Sequence, residues 1–511
     1  MAQRKYSMNL QDASFSLLHE EQKRTTIVDE TSGRAKQSGV PGVAYCHNVL
    51  PTAKGFVSVD YVEHIAANTH LGVGRTMVKV FKILSTSGST SFIGIDDRYN
   101  VFSLDYAVSN TWSSITEHAS WPTGGSNIYD GSQITIATVS GQSYICRRLV
   151  GVFELNGANL NPVSLTGITA SSLLGVIGSN GYMVAYTYTD IAWSSTIDPT
   201  DFTPSPVTGA GGGVLEDIEG VIQFGFSNAL GLMIYGEYNA VAGSYTGNIR
   251  YPFKFRPIDN SSGAIEPTRI GYQTNSNTHF AINIGSIQRV DSVKASPILP
   301  ELFKFLTGKR VEDYDPATDT YTITELTPGQ TLLKRFHYLG SRYLIVSYGV
   351  TSFTHAIVYD TVLDRMGKLK IDHVDFFELV SLTLEQDEIP SEALMVMEPD
   401  GTCNIIDTTA ILEDTDAVLI LGKLQYAHTR YITLESLEAE NVLETDTFDM
   451  RVQKSLDGKN YTMVTGTQVG SQEYVRQFNY SQLTGKNLSV VIEGSFDLNT
   501  VLATYVIAGK S

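Results

Sequence analysis

Met395-Val-Met-Glu-Pro-Asp-Gly-Thr-Cys-Asn-Ile405 reads as strand, tight turn, strand. Pro399 and Asp400 suit the corner, and Gly401 accepts a positive φ because it has no Cβ to clash. The same logic returns along the chain. Ile93-Gly-Ile-Asp-Asp-Arg-Tyr-Asn-Val-Phe-Ser-Leu104 turns at Asp97 to Asn100, and Ile136-Ala-Thr-Val-Ser-Gly-Gln-Ser-Tyr-Ile-Cys146 turns at Ser140-Gly141. Short β-like anchors recur with these turns, at Phe92–Ile95, Ile134–Ala137, Tyr182–Ala185, Leu232–Tyr235, Phe280–Asn283, Tyr343–Val346 and Ala393–Val396. All but one interval are about 40–50 residues, the length of one four-stranded propeller blade. The expected fold is therefore all-β, with a β-propeller of about six to seven blades over residues 71–415. The blocks share a pattern rather than letters, so two packed sheets or a sandwich are the alternatives.

The long interval, between the fifth and sixth anchors, holds Pro297-Ile-Leu-Pro-Glu-Leu-Phe-Lys-Phe-Leu-Thr307, expected as one helical insertion. Ser296 would cap it, Pro297 suits a first turn, and Gly308 ends it. Leu299, Leu302, Phe303 and Leu306 would form its apolar face, covering a blade edge or docking on a neighbouring subunit.

Residues 1–70 read as an N-terminal arm and lead-in. Ser14 to Arg24 suits a short helix or an extended arm, Gly39-Val-Pro-Gly42 a turn, and Gly55 to Tyr61 a strand. Residues 416–511 change texture. Six strand candidates follow closely there: Leu419–Tyr426, Tyr431–Leu437, Phe448–Gln453, Tyr461–Val464, Leu488–Ile492 and Thr504–Ile507. That density of short strands predicts a C-terminal β-sandwich-like domain.

Charge narrows the partners. The formal net charge is −18, and the basic pairs Lys23-Arg24 and Arg147-Arg148 are isolated. A protein that grips nucleic acid concentrates cations to displace phosphate counterions. This chain does the opposite, which suits DNA that slides past rather than DNA that is held. Cys46, Cys146 and Cys403 are odd in number and far apart, so neither a zinc site nor a disulfide framework is expected. Met1-Ala-Gln-Arg-Lys-Tyr6 runs into polar sequence, which predicts no secretory leader, and no apolar run is long enough to span a membrane.

Catalytic patterns fail on inspection. Ser455-Leu-Asp-Gly-Lys-Asn-Tyr461 partly matches the Asp-box turn of propeller glycosidases, but it occurs once and in the C-terminal region. Asp96-Asp97 and the Asp414/Asp416 pair sit in turns with no evident acid/base partner. Asp313-Tyr-Asp-Pro-Ala-Thr-Asp319 lacks the oxygen ligand, Gly and Glu that a calcium loop needs at Ala317, Thr318 and Thr324. Leu71-Gly-Val-Gly-Arg75 lacks the third Gly of a dinucleotide loop and the Lys of a phosphate loop. The expectation is no enzyme, with no catalytic, cofactor-binding or metal residue assigned. A glycan-binding alternative would use Trp112, Trp121 and Tyr129 as stacking platforms, against the plainer reading of packing between blades.

His355-Ala-Ile-Val-Tyr-Asp-Thr-Val-Leu-Asp-Arg-Met-Gly-Lys-Leu-Lys-Ile-Asp-His373 resembles a phrase of propeller-type tail proteins (nozzle, tail tube or tail hub) of short-tailed bacteriophages, the podoviruses. There Val-Tyr-Asp is followed by a turn and an Arg-aromatic-Gly-Lys step, and Met366 here replaces the aromatic. Tyr186 to Phe202 is similar to the same group, with Trp193-Ser194 running into Asp198-Pro199. So are Asn48-Val-Leu-Pro-Thr-Ala-Lys-Gly55 and the ending, with Arg430–Leu434, Ser455–Gly458, Gly485–Asn487 and Gly494–Phe496. The resemblance implies a virion structural protein, made in the host cytoplasm, forming a ring that is usually hexameric below the portal and adaptor proteins. Such a nozzle or hub conducts and retains genomic DNA during ejection and seats fibre or spike proteins. A receptor- or glycan-binding tail component is the alternative, and a propeller glycosidase a further one.

Overall fold

The computed structural model describes residues 4–10, 14–15, 24–27, 42–84, 90–105, 109–123, 133–264, 266–308, 310–315, 320–380, 392–408, 417–426, 430–440, 447–455, 462–472 and 475–510. The chain is almost entirely β, with one α-helix among the described residues. Seven mainly antiparallel sheets, labelled here in chain order, follow one another. Sheet I holds Met77–Leu84, Thr90–Asp96, Val101–Asp105 and Ser113–Ser114. Sheet II holds Ile134–Val139, Gln142–Arg147, Gly151–Asn156 and Asn159–Pro162, with Thr116–Glu117 laid parallel on its outer edge. Sheet III holds Gly175–Ser179, Tyr182–Tyr186, Asp190–Trp193 and Gly211–Val214. Sheet IV holds Ile222–Asn228, Gly231–Gly236, Ala240–Tyr245 and Phe253–Pro257. Sheet V holds Ile270–Gly271, His279–Ile282, Ile287–Val290 and Ala295–Ile298. Sheet VI begins with Leu333–Leu339, Tyr343–Gly349, Phe353–Asp360 and Arg365–His373, and sheet VII with Asp375–Val380, Glu392–Met397 and Cys403–Asp407.

Six of the seven anchors are the second strand of their sheet; Ile134–Ala137 is a first strand, and its sheet's second strand is Gln142–Arg147. The reason is physical. A second strand lies between two others and packs on both faces, so it reads as an unbroken apolar run. Tyr182–Tyr186 and Gly231–Gly236 are buried along their whole length.

Each sheet buries one face against the next. Ile93, Ile95 and Trp121 meet Ile145 and Phe153 between I and II. Cys146 and Val152 meet Met183 and Ala185 between II and III. Tyr186 and Ile191 meet Ile234 and Val241 between III and IV, and Met233 and Tyr235 meet Ala281 and Val290 between IV and V. Phe280 and Ile282 face Phe336 and Val346 between V and VI, while Val358 and Leu369 face Phe376 and Val396 between VI and VII. Finally Met395 and Met397 of sheet VII share a cluster with Phe92 and Phe102 of sheet I.

The first seventy residues distribute among several sheets, across the boundary drawn at residue 70. Asp60–Ile65 is the outer strand of sheet VII, paired to Cys403–Asp407. Val49–Pro51 and Phe56–Ser58 extend sheet VI, and Asp497–Leu498 adds beyond them. Gly42–His47 joins Val418–Leu421, Asn487–Ser495 and Thr447–Ser455 in a terminal sheet. Arg4–Asn9 pairs with Thr500–Lys510 in a second one, beside Arg430–Glu440, Val475–Gly485 and Thr467–Gln472. The two terminal sheets bury a common cluster that includes Leu434, Phe478 and Val501 from one and Leu419, Met450 and Val490 from the other. Ser14–Phe15 and Arg24–Ile27 are strands, which corrects the helical option for that stretch at both its ends; the residues between lie outside the described set.

The helix also needs correction. It spans Pro300–Thr307, because Ala295–Ile298 pairs with Ile287–Val290 as the last strand of sheet V. Pro297 sits on that edge strand, where a missing N–H is tolerated. Leu299 turns the chain at φ 47°, Pro300 opens the helix, and Gly308 N–H closes it on Lys304 and Phe305 carbonyls. Leu302, Phe305 and Leu306 are buried against sheet VI and the terminal cluster, with Leu299 and Phe303 packed beside them.

Candidate functional site

The stretch His355–His373 folds within the third and fourth strands of sheet VI, and its polar residues hold the structure together. Asp360 is fully buried. Its Oδ1 accepts from Val362 and Leu363 N–H and its Oδ2 from Arg342 at 2.8 Å, so the carboxylate ties the turn. Arg365 donates to the Thr52 and Leu10 carbonyls at 2.7 and 2.8 Å and lies over the Phe56 ring. A Cβ on Gly367 would fall 2.3 Å from the Val49 carbonyl oxygen, so only glycine lets the lead-in strand approach. Lys368 lies over the Tyr45 ring, and Met366 is buried in the aromatic's place. The phrase therefore reads as a seam joining sheet VI to the amino-terminal strands.

A second polar group crosses the same seam. The hairpin Arg310–Asp315 with Thr320–Glu325 follows the helix, and Asp313 projects from it. Its Oδ1 meets Lys370 Nζ at 3.0 Å, Tyr45 OH at 3.3 Å and His355 Nε2 at 3.9 Å. Burial would raise the Asp313 pKa, but His355 and Lys370 outweigh it and hold the carboxyl well below the usual range. This is the stretch that superficially resembled a calcium loop. Asp313 is held by cations, and Pro316 to Asp319 lie outside the described residues.

A dense set of buried ionisable groups lies where sheets VI, VII and I meet. Asp375, at the start of sheet VII, accepts from Lys79 Nζ at 3.1 Å and from Val80 N–H at 3.3 Å. His337 Nδ1 stands 3.3 Å from its other oxygen, and Arg335 Nη1 3.7 Å from the oxygen that Lys79 holds. Arg335 also donates to the Val374 carbonyl at 2.6 Å and reaches that of Val78. His373 Nδ1 donates to the Ile371 carbonyl, and its ring packs on Phe376. Burial would raise the Asp375 pKa, yet Lys79, Arg335 and His337 lower it. Burial pushes the His337 and His373 imidazoles down to about 3 and about 4. The carboxylate is thus ionised and the imidazoles neutral near pH 7. That is a clamp across three sheets, not a proton-transfer pair poised near neutrality.

The residues singled out from sequence fare differently. Asp96 is fully buried; it accepts from Arg98 and Asn100 N–H and from Arg75, so it builds a turn. Trp112 and Trp121 are both 2% exposed and donate to the Gly401 and Tyr99 carbonyls. They pack between sheets, which overturns the platform reading at those two positions. Tyr129, the Asp-box-like stretch from Leu456 to Tyr461, and the Asp414/Asp416 pair lie outside the described residues. Cys46, Cys146 and Cys403 are buried free thiols. Among the described residues no group of three His, Cys, Asp or Glu is placed to hold a metal, and no helix is long and apolar enough to cross a membrane. Sequence reasoning missed the Asp375 clamp altogether. Lys79, Arg335 and Asp375 are far apart in the chain, and only the meeting of three sheets collects them.

No family model matches the chain, and no curated protein matches it. Among solved structures, it is similar to the extracellular domain of a putative hybrid two component system from B. thetaiotaomicron, at 10% identity and TM-score 0.40, covering 88% of this chain and 60% of that one. A chain of the mitotic checkpoint complex aligns at 10% identity and TM-score 0.33, over 69% of this chain and 95% of that one. The protein thus spans less than two thirds of the first of these.

Proposed function

We propose that this protein is a structural component of a short phage tail: a propeller of seven blades with a C-terminal β-sandwich, assembled as a homo-oligomeric, sixfold ring below the portal and adaptor. Sheets I to VII are the blades. What supports the propeller reading is that buried residues of VII share a cluster with those of I, and that the early strand Asp60–Ile65 supplies the outer strand of sheet VII. Joining the ends this way removes the two free sheet faces an open stack would expose. The tail reading rests on the resemblance, whose main phrase coincides with the seam at Arg365, Gly367 and Lys368.

A tail ring must carry load without opening, and the buried clamps at Asp375, Asp360 and Asp313 suit a rigid part. With a net charge of −18, the ring would let DNA pass along its lumen with little adhesion. Fibre or spike proteins would sit on its outer surface. Electron microscopy and solution mass of the purified protein test the reading directly. Closed rings of about six subunits are expected at assembly concentration. A monomer at every concentration, with no ring in the parent particle, would sink it.

A further inference from the structure

Outer strands of sheets are open hydrogen-bonding edges, and proteins usually blunt them with charge, proline, shortness or a cover. Six of the seven sheets here do so. Sheet I ends in a two-residue strand, sheet II is covered by Thr116–Glu117, and sheet VI by Val49–Pro51. Sheet IV ends in Phe253–Pro257 with Lys254, Arg256 and Pro257; sheet V ends in a strand with Pro297; sheet VII ends in Asp60–Ile65 with Asp60 and Glu63. Sheet III ends in Gly211-Gly-Gly-Val214, which has no charge, no proline and, among the described residues, no cover.

The register says which groups are free. Gly211 to Val214 pair with Trp193 to Asp190, and Leu215 N–H bonds to the Thr189 carbonyl. Alternation along an antiparallel ladder then turns the N–H and C=O of Gly212 and Val214 outward. A Cβ on Gly213 would meet nothing within 4 Å. Val214 on this edge and Tyr188, next to the Thr189 that holds Leu215, are 65% and 44% exposed. The segment after the strand is held to the turn at 237–239 by Glu219 N–H on Asn239 and by Asn239 on the Asp217 carbonyl. It gathers the exposed carboxylates Glu216, Asp217, Glu219 and Glu237, none of them in an ion pair with a described residue.

We propose that the Gly211–Val214 edge accepts an extended segment of another protein as an added strand, apolar in alternation and carrying Lys or Arg where it passes Val214. Backbone bonds to Gly212 and Val214 hold the added strand, the absence of glycine side chains leaves it room, and the carboxylates fix its direction and select a basic end. This goes beyond the ring reading and stands whether or not that reading holds.

The probe is a blocked peptide of four alternating threonine and valine residues followed by three lysines, titrated against the full chain by fluorescence anisotropy. Saturable binding is expected, weakening with salt. V214P removes an outward N–H without touching the bonds to Asp190–Trp193, and should weaken binding at least tenfold with an unchanged melting temperature. Should V214P not fold, V214K serves, since that side chain is already exposed. E216Q/D217N/E219Q should weaken binding and flatten its salt dependence, and the same peptide ending in three glutamates should not bind. Equal binding by wild type and the folded edge variant, absence of saturable binding, or equal binding of the glutamate peptide would each overturn the proposal. So would a drop in oligomer size on V214P or V214K, since the occupant would then be a second copy of the chain.

Discussion

Asp375 shows how much a single side chain can hold. Its carboxylate balances Lys79 and Arg335 where three sheets meet. Removing one partner of a buried ion pair costs more than the pair contributes, because the remaining charge is left uncompensated. Asp375→Asn should therefore lower stability by roughly 3–5 kcal/mol, read as a shifted urea midpoint at unchanged slope. The imidazoles nearby set a pH dependence. His337 and His373 are neutral when folded, with values of about 3 and about 4, and titrate near 6.5 when unfolded. Below about pH 6.5 the unfolded chain binds more protons, so this contribution falls as pH drops toward 4. Asp375 and Asp313, both lowered in the fold, lose theirs at still lower pH. Melting temperature should be flat between about pH 7 and 8 and decline on acidification. A rise on acidification would contradict the account of these groups.

Among the elements, the seam and the helix make separable demands. Gly367→Ala puts a methyl into the Val49 carbonyl, so the strand Val49–Pro51 must move off sheet VI. Limited proteolysis should then cut within residues 48–60 while fragments containing sheets I to IV persist. Leu302→Ala empties a fully buried site under the helix and should cost about 2–5 kcal/mol without altering the oligomer. These elements are unequally legible. The six strand candidates beyond residue 416 fall on strands where described, although Leu419–Tyr426 breaks at Gly422 into two; most of them answer to a buried face, whereas Thr462–Thr465 has no buried residue. Thr467–Gln472 and Val475–Gly485 carry no comparable signal. The first has one large apolar residue, and the second presents Phe478, Tyr480 and Leu483 inward amid Arg, Gln, Asn and Ser. The helix start is ambiguous in sequence because Ser296-Pro297 serves equally as cap and as edge strand, and only pairing to Arg289 and Gln288 decides.

For the molecule as a whole, the acidic balance bears on the proposed conduit. Duplex DNA should show no saturable binding to the purified protein at about physiological salt, since the sequence offers no cluster of cations to release phosphate counterions. Tight, salt-dependent retention in a gel-shift titration would count against a low-friction lumen. The way the chain ends interleave also predicts cooperative unfolding. Strands near residues 4–65 lie in both terminal sheets and in sheets VI and VII, so neither end can leave alone.

By itself, the amino-acid sequence determined the all-β character, the spacing of the sheets and most of their second strands. Those follow from local rules, namely turn residues that accept a given φ and apolar runs that must be buried. Tertiary structure alone decided that Asp60–Ile65 completes sheet VII, that Lys79, Arg335 and Asp375 form one clamp, and that Gly211–Val214 is left uncovered among the described outer strands of sheets I to VII. Each of these depends on which distant strands become neighbours. That choice is made by the summed burial of whole faces, which no short stretch of sequence contains.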